Sequence, residues 1–303
     1  MTFTMSEYLL GIDWGSTNRR AYLLDADGQC LRQHADGTGM LAARGRFAEA
    51  LADLCRDLRV PAGTPVVMSG MVGSAQGWHE VPYLTPDVPL TDLPRQLARL
   101  AGPEAPVGIV PGYRLPASAD GGVDVMRGEE TQLLGALALG AAGGWFILPG
   151  THSKWARLEG ERLAQWSTYM TGELFAALGQ GGTLAALMAA GAEHDAQAFD
   201  SGVAAARVGG ALTHALFTVR ARVVTGDLPA AQARSFVSGL LIGTEFTACA
   251  LPAGTELAII GSPALAARYQ DAARHFSLRT RIIDPDRAYC AALGRFMKKE
   301  SRR

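Results

Sequence analysis

The fold of this chain is decided near its N-terminus by the stretch Leu9-Leu10-Gly11-Ile12-Asp13-Trp14-Gly15-Ser16-Thr17-Asn18. Its apolar half predicts a short buried strand that ends at an acid and turns at a glycine, with a second strand at 20–25. An aspartate at a strand end can hold a hydrated divalent cation, and a glycine followed by two hydroxyls offers donors to phosphate oxygens. Many ordinary strand–turn–strand corners share this pattern, so the rest of the chain has to decide.

Length and composition describe a globular protein of about two domains. The chain has 303 residues, of which 48% are hydrophobic and 19% charged. Its net charge is -1, and acidic and basic residues are interleaved along the chain. This balance excludes the basic surface that nucleic-acid binding requires. The four cysteines are isolated, no apolar window has the length of a membrane span, and no leader pattern opens the chain. We therefore expect a cytoplasmic protein with reduced cysteines and no zinc site.

The first half alternates strands and helices. Strands are predicted at 29–35, 65–68 and 107–110, and helices at 46–59 and 92–100. The strand at 65–68 runs into Ser69-Gly70-Met71-Val72-Gly73-Ser74, a glycine-punctuated loop at a strand end, where open α/β sheets bind their ligands. A later helix opens with Met126-Arg127-Gly128-Glu129-Glu130-Thr131-Gln132. We interpret that helix as the crossing between two domains, residues 1–140 and 141–303.

The second half repeats the opening pattern. Phe146-Ile147-Leu148-Pro149-Gly150-Thr151-His152-Ser153-Lys154 again predicts a strand, a glycine turn and hydroxyls, and strands at 155–158 and 162–168 follow. Two such units, one in each half, constitute an internal repeat. Residues 173–252 are mostly helical, a strand at 257–260 ends in Gly261-Ser262, and a last helix is predicted at 286–298.

The order of these parts resembles the actin–hexokinase–Hsp70 ATPase superfamily. The resemblance implies an α/β, two-domain actin-like ATPase (ribonuclease H-like) fold, in which each domain is a mixed sheet flanked by helices, with a central cleft. The resemblance implies two phosphate-binding turns, at residues 13–18 and 150–153, and an adenosine-binding turn at 261–265. It also implies two connecting helices, at 128–139 and 286–298.

Longer motifs are similar to those of the 2-dehydro-3-deoxygalactonokinase family. They are Ile12–Asn18, Val67–Ser74, Met126–Gln132, Pro149–Trp155, Met170-Thr171-Gly172-Glu173-Leu174 and Ser238-Gly239-Leu240-Leu241-Ile242-Gly243. The similarity implies ATP-dependent phosphorylation of the terminal (C6) hydroxyl of 2-dehydro-3-deoxy-D-galactonate, giving the 6-phosphate and ADP, in D-galactonate catabolism. Two positions depart from the pattern: Ser153, where some members have cysteine, and Phe175-Ala176, where some have histidine.

The resemblance also implies roles for single residues in phosphoryl transfer. Asp13 would hold Mg²⁺ through water. Glu130 would accept the proton of the sugar hydroxyl, with Glu129 as the alternative, since neighbouring helical residues lie about 100° apart and only one should face the substrate. The structural alternative is that both acids are only residues favoured by the dipole of a helix N-terminus. The nucleotide would be bound by Gly15, Ser16, Thr17, Asn18, Gly150, Thr151, His152, Lys154, Gly261 and Ser262.

The substrate carries a carboxylate, which arginine recognises with two parallel hydrogen bonds. Arg20 and Arg127 are the candidates, although a single arginine is more often solvated or salt-bridged. The sugar hydroxyls would meet Ser69, Ser74, Trp78, Thr171 and Glu173. Two alternatives stay open: a kinase for a related sugar acid such as 2-keto-3-deoxygluconate, and a non-catalytic regulator that binds sugar or ATP. A small-molecule substrate is the expected partner, without nucleic acid or membrane, and a homo-oligomer is left open.

Overall fold

The structure, a computed structural model, describes residues 7–100, 105–116, 122–190 and 193–297. Within these ranges the strands are β1 (Tyr8–Trp14), β2 (Arg19–Asp25), β3 (Cys30–Asp36), β4 (Val66–Gly70), β5 (Ala98–Leu100), β6 (Val107–Ile109), β7 (Tyr113–Leu115), β8 (Asp124–Met126), β9 (Gly143–Leu148), β10 (Ser153–Glu159), β11 (Arg162–Tyr169), β12 (Glu256–Ile260) and β13 (Arg279–Ile283). The α-helices are α1 (Met40–Ala43), α2 (Phe47–Asp57), α3 (Glu129–Ala138), α4 (Thr171–Gln180), α5 (Ala185–Ala189), α6 (Ala196–Val208), α7 (Leu212–Thr225), α8 (Ala233–Cys249), α9 (Pro263–His275) and α10 (Pro285–Met297).

Two sheets share one strand order. The first runs β3-β2-β1-β4-β6-β5 and the second β11-β10-β9-β12-β13. In each, three strands that follow one another in sequence lie side by side, and a later strand pairs with the free edge of the first of them. β1 pairs with β2 antiparallel and with β4 parallel, and β9 pairs with β12 parallel. The common order is what the predicted internal repeat requires.

The contacts of the chain group into two compact units. The first comprises residues 1–143, 156–166 and 284–303, and the second residues 144–155 and 167–283. The last helix, α10, therefore groups with the first unit although it closes the chain. The domain limits 1–140 and 141–303 stay a prediction.

Each unit has a core built on its first strand. In the first unit, Leu10 and Ile12 of β1 are fully buried and pack with the apolar face of α2. An apolar run of this kind is typical of a strand covered on both faces. In the second unit, Ile147 of β9 joins a buried cluster with Phe246 of α8 and Tyr269 of α9. These cores fix the strand ends from which the polar turns project.

One predicted helix is wrong. Residues 92–100 form the end of a short 3₁₀ helix, Leu90–Arg95, and then strand β5. Pro94 lies in this segment, and proline removes a helix donor and disfavours the helical conformation of the residue before it. None of the helices in the described ranges has both the length and the apolar character needed to cross a bilayer.

The two predicted connecting helices are α3 and α10, and they meet inside the first unit. Gly135 of α3 is buried, and a Cβ atom added to it would lie 1.8 Å from the carbonyl oxygen of Ala288 in α10. No side chain larger than hydrogen fits there without moving the two helices apart.

Gly135→Ala is accordingly expected to lower the free energy of unfolding by about 1–3 kcal/mol, the usual cost of overpacking a core. The measurement is chemical denaturation followed by circular dichroism. Gly294→Ala is the matched control, because Gly294 is also helical and a Cβ there meets nothing within 4 Å. The control is expected to be neutral or slightly stabilising, since alanine is the better helix former. Equal effects of the two substitutions would contradict the close helix crossing.

Candidate active site

The first glycine–hydroxyl turn is held from behind by the start of α1. The backbone N–H groups of Gly39, Met40 and Leu41 donate to the carbonyl oxygens of Thr17, Gly15 and Ser16, at 3.2, 2.8 and 3.1 Å. The side chains of Ser16, Thr17 and Asn18 are exposed. The carbonyl groups of the turn therefore accept hydrogen bonds from the protein backbone, while its hydroxyl-bearing residues are exposed. Exposed hydroxyl donors suit an anion.

Asp13 lies on β1 just before this turn and is tied to charged neighbours. Arg20 donates to Asp13 Oδ2 at 2.7 Å and to Asp286 Oδ1 at 3.4 Å, and Tyr22 donates its hydroxyl to the same Asp286 oxygen at 2.6 Å. Burial raises the pKa of Asp13 above its ordinary value, and the charge of Arg20 acts in the opposite direction. Arg20, a predicted ligand of the substrate carboxylate, thus already has two carboxylate neighbours.

Space beside the second oxygen of Asp13 is kept clear by two glycines. A Cβ atom on Gly70 would lie 3.4 Å from Asp13 Oδ1, and one on Gly128 would lie 4.0 Å from it. Both glycines have positive φ angles, 87° and 116°, which other residues rarely adopt. The described residues contain no cluster of three or more His, Cys, Asp or Glu side chains that could hold a metal. A single carboxylate beside open space fits a magnesium ion that keeps most of its water.

Glu130 is the buried acid at the start of α3. Its carboxylate accepts hydrogen bonds from the Gly128 N–H at 2.7 Å and from the Thr131 hydroxyl at 3.2 Å. Burial, followed by the charge of Glu129, raises the pKa of Glu130 from 4.5 to about 8. Glu129 is only half-buried and accepts from the Arg127 N–H at 3.1 Å. The two acids therefore occupy different environments, as expected for adjacent helical residues.

Two residues of α10 join this group, and sequence reasoning missed both. The hydroxyl groups of Tyr289 and Ser69 lie 2.9 Å apart, and both residues are buried. Burial, then the charge of Asp13, raises the pKa of Tyr289 well above its ordinary value, and Glu130 contributes in the same direction. Asp286, the second residue, lies three positions before Tyr289. This helical spacing was visible in the sequence, but nothing there indicated which strand the helix would meet.

Arg127 has two buried nitrogens without a partner, more than any other charged side chain in the described part of the first unit. Its Nη2 atom donates to the Val81 carbonyl at 2.6 Å, and its guanidinium carbon lies 4.2 Å from the centre of the Tyr83 ring. Its Nε and Nη1 atoms are buried without a hydrogen-bond partner. Buried donors without partners are costly, so these two nitrogens leave N–H groups free for an acceptor such as a carboxylate oxygen.

The two other predicted sugar contacts of this unit are used locally. The Ser74 hydroxyl donates to the Met71 carbonyl at 2.8 Å, which closes a short turn. Trp78 is half-buried and stacks on Phe47, with ring centres 6.0 Å apart. Their roles toward a sugar stay predictions.

The second glycine–hydroxyl turn lies in the second unit, between β9 and β10. Gly150, Thr151 and His152 are exposed, and the start of α4 is seated on them. The Glu173 N–H donates to the Thr151 carbonyl at 2.9 Å, and the Glu173 carboxylate lies 2.6 Å from His152 Nε2. A Cβ atom on Gly172 would lie 2.3 Å from the Gly150 carbonyl oxygen, so only glycine permits this approach.

Behind the second turn lies a buried carboxylate that the sequence did not reveal. Glu245 of α8 accepts hydrogen bonds from Ser153, Trp155 and Tyr269, at 2.8, 2.6 and 2.6 Å, and also from Thr171. Lys154, between two of these partners, is 5% exposed and donates to the Thr168 hydroxyl at 2.8 Å. The Thr171 hydroxyl and the Lys154 ammonium are thus held inside the unit.

The predicted adenosine turn has an apolar pocket nearby. Gly261 follows β12 with its backbone against Pro149, where a Cβ atom would lie 3.2 Å from the ring, and exposed Ser262 immediately precedes α9. A pocket opens between the second turn, α8 and α9, and it is lined by Gly150, Thr171, Gly172, Phe175, Ser238, Leu241, Ile242, Leu265, Arg268 and Tyr269. These residues offer apolar surface next to the exposed second turn.

The chain is similar to known proteins over nearly its whole length. The family of 2-keto-3-deoxy-galactonokinases matches residues 13–296. The chain belongs to this family. It is 37% identical over 295 residues to the 2-dehydro-3-deoxygalactonokinase of Escherichia coli, which covers 95% of this chain and 97% of that protein. It is 35% identical over 297 residues to a probable 2-dehydro-3-deoxygalactonokinase of Rhizobium meliloti, which covers 96% of both.

A crystal structure is also similar to the structure of this chain. It comes from Sinorhizobium meliloti, is provisionally assigned as a 2-dehydro-3-deoxygalactonokinase, and matches with a TM-score of 0.86 and 35% identity over 94% of both chains. The predicted α/β fold is confirmed, as are the predicted family and the prediction of a phosphotransferase. This member of the 2-keto-3-deoxy-galactonokinase family is a kinase, and the roles of its single residues remain proposals.

Proposed function

We propose that the protein phosphorylates 2-dehydro-3-deoxy-D-galactonate on its C6 hydroxyl with ATP, giving the 6-phosphate and ADP, in D-galactonate catabolism. The structural observation that carries the proposal is Arg127, whose two unpartnered nitrogens suit a sugar-acid carboxylate. Glu130, three residues later, supplies a buried acid at the start of α3. Recognition of an acid and acceptance of a proton thus come from one short segment.

The two glycine–hydroxyl turns are proposed to bind the nucleotide. Ser16, Thr17 and Asn18 of the first turn, and Gly150, Thr151 and His152 of the second, expose donors for phosphate oxygens. Gly15 lies in the first turn, Lys154 follows the second, and Gly261 and Ser262 form the predicted adenosine turn. The apolar pocket beside α8 suits the base. Asp13 would hold Mg²⁺ through water, and the ion would neutralise charge on the phosphates.

Glu130 is proposed to accept the proton of the C6 hydroxyl as the phosphoryl group is transferred. Only the ionised carboxylate can do this, and burial keeps the pKa of Glu130 near 8. The structural alternative is that the two glutamates only cap the helix. It is supported by the hydrogen bond that the Gly128 N–H donates to the Glu130 carboxylate. The two interpretations predict different pH dependences of activity, because only a general base has to be ionised for turnover.

As the pH rises from 6 toward 9, kcat/KM for the sugar acid is expected to increase, with a midpoint near the pKa of about 8 of Glu130. The reason is that the raised pKa leaves most of the carboxyl groups protonated, and inactive as bases, at neutral pH. The measurement is a pH profile of initial rates at saturating ATP. A flat profile across this range would contradict the assignment of Glu130 as the base.

A coupled ADP-release assay over a panel of 2-keto-3-deoxy sugar acids tests the function. The highest kcat/KM is expected for 2-dehydro-3-deoxy-D-galactonate. Preference for 2-keto-3-deoxygluconate would change the substrate but keep the sugar-acid kinase. ATP binding without any sugar-dependent ADP release would favour the regulator instead. The proposed setting is the cytoplasm, where the cysteines would stay reduced. The oligomeric state is to be measured by sedimentation.

A further inference from the structure

Glu245 is a buried ionisable group for which the proposed chemistry has no use. The residue is 1% exposed, and burial raises its pKa. Placing a carboxylate in a protein interior costs several kcal/mol before its hydrogen bonds are counted, and an apolar side chain of similar size often costs nothing. A carboxylate that persists there at such a cost points to a task beyond filling space.

The partners of Glu245 indicate that task. Ser153 is the residue directly after the exposed turn 150–152, and its hydroxyl donates to Glu245 Oε2 at 2.8 Å. Thr171 opens helix α4, whose next residues, Gly172 and Glu173, contact the backbone of the turn. The Glu245 carboxylate therefore accepts hydrogen bonds from both segments that border the turn, through Ser153 and Thr171.

The remaining partners anchor Glu245 itself. The Trp155 indole N–H donates to Oε2 at 2.6 Å, and the Tyr269 hydroxyl donates to Oε1 at 2.6 Å. Both residues are fully buried in the core of the second unit. Four donors on one carboxylate leave its position little freedom, so the position of the turn is transmitted from the core through Glu245.

We propose that Glu245 is the positioning residue that holds the turn 150–152 in the shape that binds the phosphates of the nucleotide. The proposal rests on the proposed function for the identity of the ligand. Glu245 acts through Ser153 and Thr171 and does not touch the nucleotide. A tightly held set of donors binds a phosphate better than a mobile one, because less ordering is needed on binding.

The test compares Glu245→Ala with Glu245→Gln. Alanine leaves four donors without a partner, and KM for ATP is expected to rise by about tenfold or more, while KM for the sugar acid stays within about threefold. Glutamine is expected to restore KM for ATP to within about threefold of the parent. Its oxygen can serve Ser153 and Trp155, whereas its amide can donate to the Tyr269 hydroxyl, which also accepts.

Ser153→Ala keeps the proposal testable if Glu245→Ala fails to fold. Ser153 is fully buried, so its loss cannot remove a direct contact to ATP, yet KM for ATP is expected to rise by about threefold or more. Thr247→Val is the control, since Thr247 lies on the same helix and its hydroxyl donates to the backbone carbonyls of Gly243 and Ala206. It is expected to leave both KM values unchanged.

Calorimetric titration with Mg·ATP alone separates this proposal from the proposed function. Weaker ATP binding by Glu245→Ala and Ser153→Ala is expected whatever sugar is the substrate. Unchanged ATP affinity with a lowered melting temperature would reduce Glu245 to a structural residue, and equal rises in both KM values would also overturn its role at the turn. Absence of sugar-dependent ADP release in the parent protein would overturn the proposed function and leave the titration to decide on Glu245.

Discussion

Glu130→Gln is expected to lower kcat by roughly 10²–10⁴-fold, the usual loss when a general base is removed, while ATP still binds. Glutamine keeps the size of the side chain and an oxygen for the Gly128 N–H, so the start of α3 retains its hydrogen bond. The measurement is steady-state turnover combined with calorimetric ATP binding. Glu129→Gln is the matched control, since Glu129 is the neighbouring acid on the same turn and is only half-buried.

Stability separates a catalytic loss from a folding defect. The raised pKa means that the folded protein disfavours ionised Glu130, so Glu130 costs stability progressively as the pH rises from about 4.5 to about 8. Glu130→Gln removes this cost and is expected to be at least as stable as the parent at pH 8. If Glu129→Gln is the inactive variant, the base is the neighbouring residue; if neither variant loses activity, both acids only cap the helix.

Arg127→Ala is expected to raise KM for the sugar acid by roughly 10–10³-fold, because hydrogen bonds to a charged group contribute about 1.5–3 kcal/mol each. KM for ATP is expected to change much less, since Arg127 is assigned to the carboxylate. Arg127→Lys keeps the charge but loses the planar set of N–H donors and is expected to recover only part of the affinity. The measurement is the pair of KM values for each variant.

The control for Arg127 is Arg114→Ala. Arg114 is exposed and lies on β7, the partner strand of β8, which precedes Arg127. It is expected to leave both KM values at the parent level. A normal sugar-acid KM in Arg127→Ala would remove Arg127 from the site and leave Arg20, now paired with Asp13 and Asp286, as the remaining candidate for the carboxylate.

The sequence predicted the parts of the fold that depend on local patterns. Strand burial and turn chemistry leave signatures in neighbouring residues. The sequence therefore predicted the apolar runs of β1 and β9 and the glycine–hydroxyl turns that follow them. The helix predicted at 92–100 failed because apolar spacing was read through Pro94, whose backbone cannot continue a helix.

The missed site residues depend on contacts between distant segments. Tyr289 meets Ser69 across 220 positions of sequence, and Glu245 meets Trp155 across 90. Nothing in the immediate neighbourhood of these side chains distinguishes them from ordinary helical residues. Arg127 is the intermediate case: its motif marked it as a candidate, but its two unpartnered nitrogens appear only in three dimensions.

The most direct test of the account is to identify the product formed from ATP and 2-dehydro-3-deoxy-D-galactonate. Correlation of ³¹P and ¹H resonances is predicted to give one phosphorylated sugar acid, with its phosphorus coupled to the two C6 protons and ADP released in equal amount. ADP release without a phosphorylated sugar acid, or a phosphate on another hydroxyl, would contradict it.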